Sequence, residues 1–141
     1  MNEAAEKLFK EAVEEHPQLH EAAYSLGLLL VERKKYQDAV KYLRKAANGM
    51  PNRARIHYNL GLLLQQVGQW DEAEITLRQA LKLDPDAMDY LHAMADHYLR
   101  RGHLEAAARI SERMVVTHPN NPLGIRILEF IKKELNRRRD Q

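Results

Sequence analysis

Apolar residues recur along the chain at steps of three and four, the spacing that places side chains on one face of an α-helix. Residues 54–67 are rich in Leu and Gln and contain no proline, which favours a helix. Gly68 follows and predicts a left-handed C-cap. Asp71 and Glu72 open a second helix, where acidic side chains suit the helix dipole. Ala73, Leu77, Ala80 and Leu81 share one of its faces, and Asp84-Pro85 ends it, since proline disfavours helical geometry in its predecessor. The same pattern predicts helices near 20–33 and 36–48, and near 88–101 and 104–117. Residues 2–15 give a single helix through Ala5, Phe9 and Ala12. Residues 122–138 give a closing helix in which Leu123, Ile127, Ile131 and Leu135 step by four and Leu128 widens the stripe. The expectation is an all-α fold of about eight helices with no strand.

The pattern is periodic at a longer range. Pro17, Pro51, Pro85 and Pro119 are each 34 residues apart, and so are Ala5, Ala39, Ala73 and Ala107. Gly27 pairs with Gly61, and Gly68 with Gly102. Phe9, Leu43 and Leu77 keep a large apolar residue in register, which Ser111 breaks; Ala12, Ala46 and Ala80 are followed by Met114. A fixed period of this size means a stack of helical hairpins, each burying its apolar face on the next. Gly61 lies inside a helix, where it costs about 1 kcal/mol against alanine. That cost predicts close approach of a neighbouring backbone, and the small Ala73 and Ala80 make the same argument for the partner helix.

The 34-residue unit resembles the tetratricopeptide repeat. Residues 54–87 carry its signature as Leu60-Gly61, Gly68, Trp70, Ala73, Leu77, Ala80 and Pro85. Residues 20–53 carry it as Leu26-Gly27, Tyr36, Ala39, Leu43, Ala46 and Pro51. In residues 88–121, Ala95 replaces the glycine, while Gly102, Ala107 and Pro119 remain. The resemblance implies one domain over 1–141: a half-repeat at 2–19, repeats at 20–53, 54–87 and 88–121, and a capping helix at 122–138. It implies a right-handed α-solenoid whose concave face, lined by the first helix of each hairpin, binds a peptide or protein segment. Carried over position by position, the groove residues are Glu21, Tyr24, Leu28 and Val31 in the first repeat. The second supplies Arg55, Tyr58, Asn59, Leu62, Gln65 and Gln66, and the third Asp89, His92, Asp96, Leu99 and Arg100. Relatives that clamp a chaperone's terminal carboxylate place basic residues and Asn here. In this chain Asn59 fits, but Tyr24, Leu28, Asp89 and Ala93 hold the other places, so the donors such a clamp needs are missing. Asn59, Gln65 and Gln66 suit an extended backbone, and Tyr24, Tyr58 and Leu62 an apolar anchor.

Composition narrows the function further. Lys and Arg total 22 against 20 Asp and Glu, a near-neutral balance with no general pull toward nucleic acid or membrane. The chain has no cysteine, which removes thiolate chemistry and haem attachment through CxxCH, and the expected cofactor set is empty. The longest apolar run, residues 26–31, is far short of a membrane span. His92 and Asp96 sit at a zinc-chelating spacing, but no HExxH occurs and no third ligand is evident. No phosphate loop or nucleophile elbow is present, so the chain reads as no enzyme and as having no metal site. The basic end, Arg137-Arg138-Arg139, suits a solvated helix terminus better than RNA reading, since no basic stripe runs through the groove. The expectation is a non-catalytic scaffold for a protein or peptide partner, a module of a larger protein or assembly. Its second reading is head-to-tail self-association, because residues 2–15 are acidic and the closing helix basic. A looser similarity links residues 20–47 to repeat segments of bacterial multihaem cytochromes. Residues 2–15 read as the second helix of a hairpin lacking its first, an expectation of upstream chain. The compartment is open between cytoplasm and periplasm.

Overall fold

The computed structural model describes residues 2–141. Eight α-helices and no strand occur among them. They are α1 (Asn2–Glu15), α2 (His20–Glu32), α3 (Tyr36–Gly49), α4 (Ala54–Gln66), α5 (Trp70–Leu83), α6 (Met88–Arg100), α7 (Leu104–Thr117) and α8 (Leu123–Arg139). The expected spans agree with these to within a residue or two. The helices form two compact units divided between Leu83 and Asp84, at the Asp84-Pro85 step that ends the 54–87 repeat.

In the first unit each helix packs on the next, α1 on α2, α2 on α3, α3 on α4 and α4 on α5. Leu26, Leu30, Ala39, Leu43 and Ala46 are fully enclosed, as are Ile56, Leu64, Ala73 and Ala80. A Cβ on Gly27 would lie 2.6 Å from Leu43 Cδ2, and one on Gly61 2.6 Å from Leu77 Cδ2. The expected backbone neighbour is thus chiefly a leucine side chain: the nearest backbone atom, Leu77 N, is 3.4 Å from the Gly61 position. In the second unit α6 packs on α7 and α7 on α8. Here Ala95 and Ser111 stand in register with the Gly–Leu pairs, both fully buried, and Ser111 Oγ donates to the Ala107 carbonyl at 2.8 Å.

The hairpin turns share one geometry. Gly68 and Gly102 have φ of +82° and +76°. The next amide reaches back to close a Schellman motif, Gln69 N to Leu64 O and His103 N to Tyr98 O, each at 2.8 Å. The first hairpin makes the same turn without glycine. Lys34 takes φ +61°, and Lys35 N reaches Leu30 O at 2.8 Å.

Candidate functional site

In the first unit the expected groove residues include Tyr24, Leu28 and Val31 on α2 and Asn59, Leu62 and Gln66 on α4. Five of these, Leu28, Val31, Asn59, Leu62 and Gln66, line a cavity of about 260 Å³. Tyr36, Leu43 and Leu63 complete its wall. Sequence reasoning missed Tyr36 and Leu43 because it sought the groove on first helices alone, and it missed Leu63 because that residue lies one step from the carried-over position Leu62 on α4. The recurrence of an aromatic residue at Tyr36 and Trp70 was the available signal for one of them. Leu28 and Leu62 are each 37% exposed.

The polar groups beside this cavity are partly committed to one another. The Asn59 side-chain amide donates to the Tyr24 hydroxyl at 2.7 Å, joining α2 to α4. The Arg53 guanidinium lies 5.7 Å from the Tyr24 ring centre and is also paired with Glu21. Arg55 stands 5.1 Å from the Tyr58 ring, a distance at which cation and ring attract. Gln65 departs from the expectation: it is buried, while its neighbour Gln66 is exposed and lines the cavity. One step of 100° separates the two on α4, enough to turn one inward.

In the second unit the expected residues lie along α6. Asp89, His92 and Arg100 are exposed, and Asp96 and Leu99 half-buried. Asp96 Oδ2 accepts from Arg100 Nε at 3.0 Å, so the carboxylate of the zinc-spaced pair is held by a cation. No group of three or more metal-ligating side chains occurs among the described residues. No helix among them is long and apolar enough to cross a membrane.

A further cluster was not foreseen. Glu6 on α1 is buried and receives Lys35 Nζ at 2.9 Å, Arg33 Nη1 at 2.8 Å and Lys10 Nζ at 3.3 Å. The hydrogen bond from Lys35 holds the Glu6 carboxyl below the ordinary carboxylate range, against the opposing effect of burial, with Lys10 and Arg33 adding to it. This cluster ties α1 to the end of α2.

Tetratricopeptide repeat profiles match residues 30–96 and residues 2–55. None of the curated proteins matches the chain. Among solved structures, a crystal structure of MamA superposes with a TM-score of 0.87 at 18% identity, covering 96% of this chain and 79% of that one. MamA from Desulfovibrio magneticus RS-1 gives 0.82 at 21% identity over 96% of this chain and 76% of its own. YrrB, described as a TPR protein with an unusual peptide-binding site, gives 0.78 at 22% identity, covering 89% of this chain and 65% of that chain. These likenesses establish an all-α helical-repeat fold. With the profile matches running from residue 2 to residue 96, the chain belongs to the tetratricopeptide repeat family.

Proposed function

We propose that this chain is a non-catalytic protein-interaction scaffold that holds an extended peptide segment against α2 and α4. The observation that carries this reading is the cavity between Leu28, Val31 and Leu62, an apolar seat of about 260 Å³ edged by the amides of Asn59 and Gln66. An aliphatic side chain of the partner fills the seat, and Gln66 is placed to hydrogen-bond its backbone. Asn59 supports the seat through Tyr24. The tetratricopeptide repeat fold and the peptide-binding site named for YrrB favour the same class of function.

Selection of extended peptides from a random display library tests the reading. Selected peptides should share an aliphatic residue and should bind Leu62→Asp at least about tenfold more weakly, since losing one buried aliphatic contact removes about 1.5–3 kcal/mol. Leu62 is partly exposed, so the variant should keep its helical circular dichroism. Peptides that bind wild type and Leu62→Asp equally would place the site elsewhere.

A further inference from the structure

The apolar seat between α2 and α4 has a charged end. Glu21 lies seven residues before Leu28 on α2, and Arg55 seven residues before Leu62 on α4. Seven residues make about two helical turns, so each pair shares a face and stands about 10 Å apart along the helix. This end is aromatic as well. Tyr24 and Tyr58 are one 34-residue step apart, and each ring carries a guanidinium, Arg53 at 5.7 Å from the Tyr24 centre and Arg55 at 5.1 Å from that of Tyr58. Both arginines are exposed. Glu21 is exposed too and pairs with Arg53. Repeat register puts Glu21 on α2 where α4 carries Arg55, so two guanidiniums stand here against one carboxylate. The residues lining the seat itself carry no charge.

We propose, resting on the peptide groove assigned to α2 and α4, that this end selects an acidic side chain. The preferred peptide then carries aspartate or glutamate three or four residues from the aliphatic residue in the seat. Charge complementarity sets the sign, since the end has an excess of cation. Stacking on a ring uses none of the five N–H donors of a guanidinium, which leaves a planar fork for a carboxylate. The rings also hold the two long side chains, and this lowers the side-chain entropy that an exposed ion pair must overcome. The spacing follows from the two levels. An extended chain advances about 3.1–3.4 Å per residue, so three residues cover about 10 Å. A fourth allows for the arginine side chains, which lean toward the helix N-terminus.

Peptides selected from a random display library against the 141-residue chain are aligned on their shared aliphatic residue. The expected result is enrichment of Asp or Glu three or four positions away on one side. Selection against the Arg53→Gln/Arg55→Gln double variant should lose that enrichment and keep the aliphatic residue. One selected peptide is then synthesised with both ends blocked, in its acidic form and with the acidic residue replaced by its amide, and titrated by calorimetry. Wild type should bind the acidic form about fivefold more tightly, the upper end for an exposed pair, and the double variant should give the acidic form no advantage. The amide form should bind both proteins alike, which a merely structural role for the arginines would not allow. An aliphatic residue without an acidic preference, or a preference unchanged in the double variant, would overturn the inference and leave the groove standing. Absence of a shared aliphatic residue would overturn both. Loss of binding on blocking the peptide's C-terminus would assign the arginines to a terminal carboxylate and overturn the inference as well.

Discussion

Gly61→Ala separates the packing account of the repeat from helix propensity, because the two predict opposite signs. On propensity alone, replacing a mid-helix glycine by alanine stabilises by about 1 kcal/mol. In the structure the new Cβ would lie 2.6 Å from Leu77 Cδ2 and 2.7 Å from Leu77 Cγ. Leu77 is 1% exposed, so any shift it makes must displace packed neighbours. Overpacking of this kind costs about 1–3 kcal/mol. The net expectation is destabilisation by about 1 kcal/mol, the overpacking cost less the propensity gain. Leu77→Ala alone should cost about 2–5 kcal/mol through lost burial and the cavity left behind. In that background the added methyl meets open space, and Gly61→Ala should become stabilising by about 1 kcal/mol. The coupling between the two sites is then about 1–3 kcal/mol, as expected for residues in direct contact. Urea denaturation of the four proteins, followed by circular dichroism and by the single Trp70, measures it. If Gly61→Ala has the same effect whichever residue occupies position 77, the two helices are not held apart by this contact and the packing rule fails.

Lys34→Gly should raise stability by about 0.5–1 kcal/mol, since a left-handed residue with a side chain costs about 1–2 kcal/mol and glycine's extra unfolded-state freedom returns part of it; an unchanged urea midpoint would show the turn is not strained. The lowered Glu6 pKa makes the docking of α1 stable above the unfolded glutamate value of about 4.3 and progressively lost as pH falls through the lower folded value. Amide protection factors in α1 should therefore fall below about pH 4, and Glu6→Gln should remove that pH dependence; equal acid profiles for the two proteins would dissociate Glu6 from α1 docking. Asn59→Phe, which cannot donate to the Tyr24 hydroxyl, should weaken selected peptides while leaving helicity unchanged; unaltered affinity would detach this bond from the site.

The helices and turns were legible because their causes are local. A glycine at the end of an apolar periodic segment, or a proline after it, acts within a few residues, and Gly68, Gly102 and Pro85 did so. Lys34 was missed because lysine carries no turn signal of its own. Its position, one 34-residue step before Gly68, was the only indication. Glu6 was missed for a different reason. Its partners Arg33 and Lys35 lie 27 and 29 residues away, and only the folding of α1 onto α2 assembles them. The candidate groove lies between these cases. Resemblance places its residues on first helices, and Leu28, Val31, Asn59, Leu62 and Gln66 do line one cavity. Gln65 does not line it, because a resemblance assigns positions and not which of two adjacent glutamines turns inward.

The third repeat shows what a position-by-position comparison leaves out. Ala95 and Ser111 each depart from the signature, and counted separately they weaken it twice. They lie 16 residues apart, as do Gly27 and Leu43, and Gly61 and Leu77. A first-helix residue enlarged by one methyl is matched by a second-helix residue that lost most of its volume. Both positions remain fully buried. Close packing demands that a residue enlarged on one helix meet a smaller one on its mate. The hairpin is therefore specified by the pair, and the two departures are one compensated change.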